Sequence, residues 1–190
     1  LSVEPAGDDW VFERLRTGAT SAVQAGAPEA AIAMLQRALR EPAPLDARCD
    51  ALQDIASAGA RIGHPDTARW AHEAVAAADS PLQLGRATLR MGQVLRLLGD
   101  LALAQSLSVE TLAEIAAVDS DLAVHNEACA LMSATHRPSG RPAVDLRRVH
   151  WVDNPPVGGG IGVRAMRAYV AWELLQQNCP AARVLELFDS

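Results

Sequence analysis

A glycine recurs at nearly equal intervals through the first half of the chain, and this periodicity strongly restricts the possible folds. Gly26, Gly63 and Gly99 are separated by 37 and then 36 residues. Small residues keep fixed distances from these glycines: Ala31, Ala68 and Ala104 five positions after them, and Ala19, Ala56 and Gly92 seven positions before them. A repeat of this length is typical of arrays built from pairs of helices.

Each position of the repeat has a physical reason in a helical hairpin. The glycine can adopt the positive φ that ends the first helix. The small residues let the two helix backbones approach closely, and apolar residues such as Leu52, Ile55 and Ile62 fill the remaining space. Since one hairpin cannot bury its own apolar face, successive hairpins must stack on one another.

This pattern resembles the tetratricopeptide repeat. It predicts an all-α fold of antiparallel helical hairpins, stacked as a superhelical array of about three hairpins over residues 1–135. Pro44 and Pro81 follow the alanines of the first two copies by thirteen residues and close them, whereas the third copy has Ala117 at that place. The alternative is a general helical bundle, in which glycine and alanine only end helices and pack them.

The composition supports helices rather than sheets. Alanine contributes 37 of the 190 residues and aromatic residues only 4%, and alanine is the best helix former and a poor strand former. The net charge is −6, so the chain lacks the dense positive charge by which proteins bind nucleic acid. No apolar run is long enough to cross a membrane. Three scattered cysteines indicate reduced thiols and a cytoplasmic location.

Prolines, glycines and capping residues divide the chain into predicted helices. These cover about residues 8–25, 28–40, 45–62, 65–78, 81–98, 100–118, 119–135, 143–152 and 162–177, with a last helix from Pro180. Residues 136–161 form an irregular connection, rich in proline and glycine, around the short helix. Residues 162–190 form a further hairpin that we expect to be truncated.

Several stretches of the chain resemble a known family. They are residues 5–10 (PAGDDW), 25–31 (AGAPEAA), 35–39 (LQRAL), 162–169 (GVRAMRAY) and 178–182 (NCPAA). These runs are similar to the helical region of large ATP-binding transcriptional regulators of the LuxR family, of the actinobacterial type. In that family a nucleotide-binding domain precedes such a region, and a helix-turn-helix domain follows it.

The resemblance implies a non-catalytic scaffold or sensor segment, which couples the binding of a ligand or partner to the ATPase and DNA-binding parts of its parent chain. The sequence contains neither part, since a Gly-x-x-x-x-Gly-Lys motif is impossible in a chain without lysine. The expected partners are other domains of the parent chain and a peptide, protein or small-molecule effector, with self-association also open. No cofactor, nucleic acid or membrane is expected to bind this segment. The alternative is a stand-alone adaptor that binds peptides or proteins.

The candidate binding residues follow from projecting the repeat onto the chain. In a superhelix of the tetratricopeptide type, the first helix of each hairpin lines the concave groove. Polar side chains there can bind an extended peptide or another helix; the alternative is a solvated groove without a ligand. The predicted groove residues are Arg16, Thr20, Gln53, Ser57, Gln93 and Arg96.

Two further patterns permit a ligand but favour a structural role. Residues 158–162 (GGGIG) have the Gly-x-Gly spacing of a phosphate-binding loop, yet no strand is predicted before them, so we expect a flexible connection. Four potential metal ligands share one helix face: Asp121, His125, Cys129 and His136. Capping and packing are the simpler interpretation of these four residues, and no metal is expected. No arrangement of nucleophile and base indicates an enzyme.

Overall fold

The computed structural model describes residues 8–43, 45–135 and 142–188. In this part of the chain the regular structure consists of ten helices and no strand, which confirms the predicted all-α class. The helices are α1 (Asp9–Gln24), α2 (Pro28–Ala38), α3 (Leu45–Ile62), α4 (Thr67–Ala76), α5 (Pro81–Leu97), α6 (Leu101–Ala116), α7 (Ser120–Thr135), α8 (Pro142–Asp153), α9 (Ile161–Gln176) and α10 (Ala181–Glu186). None of the described helices has the length and apolarity that crossing a membrane requires.

Three of these helices end at the repeated glycines. Gly26, Gly63 and Gly99 have φ of 76°, 63° and 79°, and backbone hydrogen bonds close each helix behind them. After α1, for example, the N–H of Ala27 donates to the carbonyl of Ala22 at 2.9 Å. A side chain added at these glycines would meet no atom within 4 Å. The left-handed backbone, rather than lack of space, therefore requires glycine here.

The same helix ending occurs a fourth time, after α9, with asparagine in place of glycine. Asn178 has φ of 55°, and the N–H of Cys179 donates to the carbonyl of Leu174 at 3.0 Å. Ala171 lies seven residues before Asn178 and is buried, as Ala19 is at the matching place of the first copy. Asparagine tolerates the left-handed conformation better than most side chains, so it can replace the glycine.

Helices α1–α5 form the first of two compact units, which extends to Asp100. Within it α1 packs on α2 and α3 on α4, which are the pairs that the first two copies of the repeat predict, and α3 also contacts α2 and α5. Small side chains occupy many buried positions of this unit: Ala19, Ala31, Ala38, Ala56, Ala58, Ala71 and Ala74. Larger side chains complete its core: Phe12, Leu35, Ile55, Trp70, Met91 and Leu95. The alanines let neighbouring helices approach closely at native density.

Helix α4 begins at Thr67, two residues later than the predicted start at Pro65. The turn before it is held by His64, whose Nδ1 accepts a hydrogen bond from the N–H of Asp66 (3.1 Å) and whose carbonyl accepts one from the hydroxyl of Thr67 (2.7 Å). Thr67 then packs against Gly59 of α3, where an added Cβ would lie 2.5 Å from its hydroxyl oxygen. The close approach of α3 and α4 therefore depends on Gly59 and Thr67.

Helices α6–α10 belong to the second unit, which begins at Leu101. Here α7 packs against both α6 and α9, while α8 and α10 contact α9. One hydrophobic cluster of this unit draws on α7, α9 and the end of α10: Ala128, Leu131, Met166, Tyr169, Val170, Ala171, Leu174 and Leu187. The hydroxyl of Tyr169 donates to the buried carboxylate of Glu173 at 2.8 Å, so this buried hydroxyl is satisfied.

The third predicted copy of the repeat joins α5 of the first unit to α6 of the second, and the units divide just after its glycine, Gly99. The first unit by itself contains two helix pairs and the first helix of a third. Stacking of the whole chain as one superhelical array of the tetratricopeptide type stays a prediction.

Candidate binding groove of the first unit

A groove on the first unit is lined mainly by α1, α3 and α5, the first helices of the repeat. It consists of two adjoining cavities of about 250 and 420 Å³ that share Ser57, Arg61 and Arg90. Its apolar lining includes Ala19, Val23, Leu35, Ala58, Val94 and Leu97. A concave surface that combines apolar side chains with a few polar groups is the usual form of a binding site.

Four charged side chains connect these three helices. Arg16 of α1 contacts Asp50 through Nη2 (3.1 Å) and Asp54 through Nε (3.3 Å), both on α3. The other carboxylate oxygen of Asp54 accepts a hydrogen bond from Nη2 of Arg90 on α5 at 2.8 Å. Partly exposed pairs of this kind add on the order of 1 kcal/mol or less to stability. Their main effect is to fix the positions of the two arginines beside the groove.

The groove carries net positive charge, although the chain as a whole has a charge of −6. Its lining contains Arg61 and Arg90 but a single carboxylate, that of Asp54. Arg61 is exposed and makes no hydrogen bond or ion pair with any residue that the structure describes. A guanidinium presents its N–H donors as a planar fork, so Arg61 is suited to bind a carboxylate or phosphate of a partner.

Three of the six predicted groove residues line this groove. The hydroxyls of Thr20 and Ser57 donate to carbonyls one turn earlier in their own helices, at 3.2 and 2.7 Å, and their oxygens can still accept a hydrogen bond. Gln93 is exposed, and its amide makes no hydrogen bond within the described ranges. A fourth predicted residue, Arg16, lies beside the groove because it pairs with Asp54, a lining residue.

The other two predicted residues lie elsewhere. Gln53 is buried, and its Nε2 donates to the sulfur of Cys49 at 3.4 Å, so its side chain belongs to the core of the first unit. Arg96 lines neither cavity, and its Nη1 is buried without a hydrogen-bond partner among the described residues. Gln53 and Arg96 share a helix face with the groove residues Ser57 and Gln93, so the packing of other side chains around them decides these positions, and the repeat spacing leaves that packing undetermined.

The repeat spacing did not single out Arg61 and Arg90, although a sequence signal for both exists. Arg61 lies four residues after Ser57, and Arg90 lies three residues before Gln93. Residues three or four apart share one face of a helix. Each arginine therefore belongs beside a groove residue that the repeat does predict.

The glycine-rich residues 158–162 bind a carboxylate of the chain itself. The Asp121 side chain accepts hydrogen bonds from the N–H groups of Gly162 and Val163, both at 3.0 Å, where α9 begins. A Cβ on Gly160 would collide with the Asp121 carboxylate, and one on Gly162 would collide with its backbone carbonyl. The glycines thus allow the starts of α7 and α9 to approach closely. The amides that a phosphate would need are occupied by Asp121, and the connection is anchored at this end.

These hydrogen bonds lower the pKa of Asp121. The amide of Gly162 has the largest effect, the amides of Val163 and Ile161 add to it, and nearby His125 acts in the same direction, whereas partial burial opposes them. Hydrogen bonds to a carboxylate stabilise its charged form. Asp121 therefore acts as a charged cap of α9.

The four potential metal ligands divide between the described and the undescribed parts of the chain. Asp121, His125 and Cys129 are on α7, whereas His136 lies outside the described residues. Within the described ranges, no group of three or more His, Cys, Asp or Glu side chains is placed to hold a metal ion. Cys49, Cys129 and Cys179, all within the described ranges, form no disulfide bond.

The chain matches no protein-family model, no curated protein and no solved structure. Its function is therefore inferred from the chemistry of its own surfaces. The groove of the first unit combines an apolar lining with two arginines, one of which is exposed.

Proposed function

We propose that the chain is a non-catalytic helical-repeat segment whose first unit binds a stretch of partner polypeptide in the groove. The observation that carries this proposal is a groove shared by α1, α3 and α5, with an apolar lining and two arginines. Such a groove suits an amphipathic helix or an extended segment, because some side chains of the partner enter it while others meet its polar groups. Stacking of all the helices as a superhelix of the tetratricopeptide type is part of this proposal.

The partner segment is expected to carry acidic side chains next to apolar ones. Arg61 is unpaired within the described part of the chain, and Arg90 keeps 43% of its side chain exposed while it pairs with Asp54. A carboxylate of the partner would pair with Arg61 and compete with Asp54 for Arg90. Apolar side chains next to that carboxylate would cover the exposed Leu97 and reach the apolar lining.

The resemblance to LuxR-type regulators supplies a cellular context for this binding. The segment would lie in the cytoplasm between the ATPase and DNA-binding parts of one parent chain. The bound polypeptide would come from another part of that chain or from an effector protein. Binding that favours one curvature of the helical array would shift the conformational equilibrium of the whole regulator.

A peptide array tests the groove directly. The full chain is incubated with short peptides that combine acidic and apolar residues, and the affinity of the best binder is measured by fluorescence anisotropy. Arg61→Glu combined with Arg90→Glu is expected to weaken binding at least about tenfold, which corresponds to about 1.4 kcal/mol. Binding should also weaken as salt is raised, because the charges are partly exposed.

Arg69→Glu is the matched control for this experiment. Arg69 is an exposed arginine of α4 that lines neither cavity, so its reversal should leave the peptide affinity unchanged. If the double variant of Arg61 and Arg90 binds the peptide as tightly as the wild type, the groove is not the binding site.

A stand-alone adaptor with the same groove is the second candidate, and the flanking gene sequence separates the two. A Gly-x-x-x-x-Gly-Lys motif before this segment and a helix-turn-helix after it would support the regulator. A full-length gene that lacks both would exclude the regulator and leave the adaptor.

A further inference from the structure

A small cavity in the second unit has a buried arginine in its lining. The cavity has a volume of about 170 Å³ and is lined by residues from the end of α8, the loop after it, α9 and α10. Arg167 and Leu174 of α9 and Leu187 at the end of α10 are the buried residues of this lining. No residue of the groove in the first unit takes part, so this site is independent of the proposed function.

The guanidinium of Arg167 is buried and pairs with no carboxylate among the described residues. Arg167 as a whole is 6% exposed. Its Nε donates to the carbonyl of Pro156 at 2.9 Å, whereas its Nη2 is buried and has no hydrogen-bond partner in the part of the chain that the structure describes. None of the ion pairs among the described residues includes Arg167. A buried charge that has lost its water and found no partner is costly, and an anion in the cavity would offset that cost.

We propose that this cavity binds a small molecule through its carboxylate, which pairs with the guanidinium of Arg167. Arginine and carboxylate match in shape, because two N–H donors can meet two oxygens. The cavity of about 170 Å³ is smaller than the roughly 300–1,000 Å³ of sites for drug-sized ligands. The ligand is therefore small, and an aliphatic group next to its carboxylate would contact Leu174 and Leu187.

The exposed charges of the lining favour a monoanion over phosphate. Asp153 and Glu186 are exposed carboxylates of the lining, and Arg183 is an exposed cation of the same lining. The carboxylates of Asp153 and Glu186 repel a doubly charged phosphate more strongly than they repel a ligand that carries one carboxylate. An ammonium group on the ligand would be attracted to Asp153 and Glu186. Free amino acids and simple carboxylic acids therefore share the chemistry that this cavity requires.

Three probes with one carbon skeleton test the site by titration calorimetry on the full chain. Valine carries a carboxylate and an ammonium group, isovalerate only the carboxylate, and isobutylamine only the ammonium group. Valine or isovalerate is expected to bind, whereas isobutylamine and inorganic phosphate are not. Tighter binding of valine would identify an amino acid as the ligand, and equal or tighter binding of isovalerate would identify a simple carboxylic acid; both support the site.

The variant Arg167→Met tests the role of the guanidinium. It should weaken binding of the carboxylate probe at least about tenfold, while stability is unchanged or raised, because it removes an uncompensated charge. Arg167→Lys keeps the charge without the planar fork and should bind more weakly than the wild type. Arg69→Gln, at an exposed arginine of α4 that lines none of these cavities, is the control and should bind as the wild type does.

Four outcomes would overturn the proposal. They are failure of both carboxylate probes to bind the wild type, preference for phosphate or isobutylamine, unchanged binding by Arg167→Met and Arg167→Lys, and strong destabilisation by Arg167→Met. The last would show that Arg167 has a structural partner in the folded chain.

Discussion

The carboxylate of Asp121 does for α9 what a capping side chain usually does from the residue before a helix. That residue here is Gly160, which has no side chain to donate or accept a hydrogen bond. Asp121 accepts from the amides of Gly162 and Val163 instead, although it lies 41 residues before the first of them. The ionised carboxylate also faces the positive end of the helix dipole.

Asp121→Asn is expected to lower the free energy of unfolding by about 1 kcal/mol at neutral pH. Because the pKa of Asp121 is lowered in the folded protein, its contribution is complete above the value of an unfolded aspartate, about 3.9. It is lost as the pH falls through the lower folded value. Urea unfolding should show the full difference between wild type and variant at about pH 5, and a smaller one below about pH 4.

The pH dependence is the informative part of that comparison. Other carboxylates titrate in both proteins and cancel in the difference. A difference that stays unchanged down to about pH 3 would show that the charge of Asp121 is not its source.

Gly162 and Gly159 form a matched pair for testing the close approach of α7 and α9. A Cβ at Gly162 would collide with the Asp121 carbonyl, whereas one at Gly159 would meet no atom within 4 Å. Gly162→Ala is therefore expected to cost about 1–3 kcal/mol of stability, and Gly159→Ala less than about 0.5 kcal/mol. Thermal unfolding measures both, and similar losses for the two variants would contradict this account.

Glycines with positive φ end helices of the first unit, and the need for this backbone conformation can be tested at Gly63. This residue has φ of 63°, and an added side chain would meet no atom within 4 Å. Gly63→Ala should cost about 1–2 kcal/mol, the price of a left-handed backbone for an ordinary residue. Gly63→Asn should cost clearly less, since Asn178 already ends α9 in this conformation. Urea unfolding measures the free energy of unfolding of both variants. An equal loss in the two would contradict the argument from backbone conformation.

The helices of this chain could be predicted because their ends are set by local residues. Gly26, Gly63 and Gly99 end helices through their own backbone conformation, and Pro28 and Pro81 begin helices because proline fits the first turn. The start of α4 was predicted two residues too early. There the side chain and carbonyl of His64 hold an extra turn, and residue spacing does not reveal such bonds.

Tertiary relations were less accessible from the sequence than the helices were. The contact of Asp121 with Gly162 joins residues far apart in the chain, so no local pattern reports it. The groove prediction chose suitable helices, but Gln53 lies in the core, although it shares a helix face with Ser57, because side chains packed around α3 cover it. Arg167 was not singled out, since a lone arginine on an apolar helix face gives no sign of whether a carboxylate lies near it.

The two compact units are expected to open independently, since each has its own buried core. Gly162→Ala should speed amide hydrogen exchange in the helices of the second unit, α6–α10, and leave α1–α5 unchanged. Mass spectrometry of exchanged, digested protein measures this region by region. Equal acceleration in both units would show that the chain unfolds as one cooperative body.

Asp54 uses each of its two carboxylate oxygens for a different arginine, Arg16 on α1 and Arg90 on α5. A bound peptide whose carboxylate pairs with Arg90 would leave Asp54 paired with Arg16 alone, and would strengthen the ion pair between Asp54 and Arg16. A peptide bound next to α5 would then alter the affinity of the groove for a second peptide next to α1. Two short peptides added together would bind with cooperativity, and its sign would report whether Arg16 is held or released.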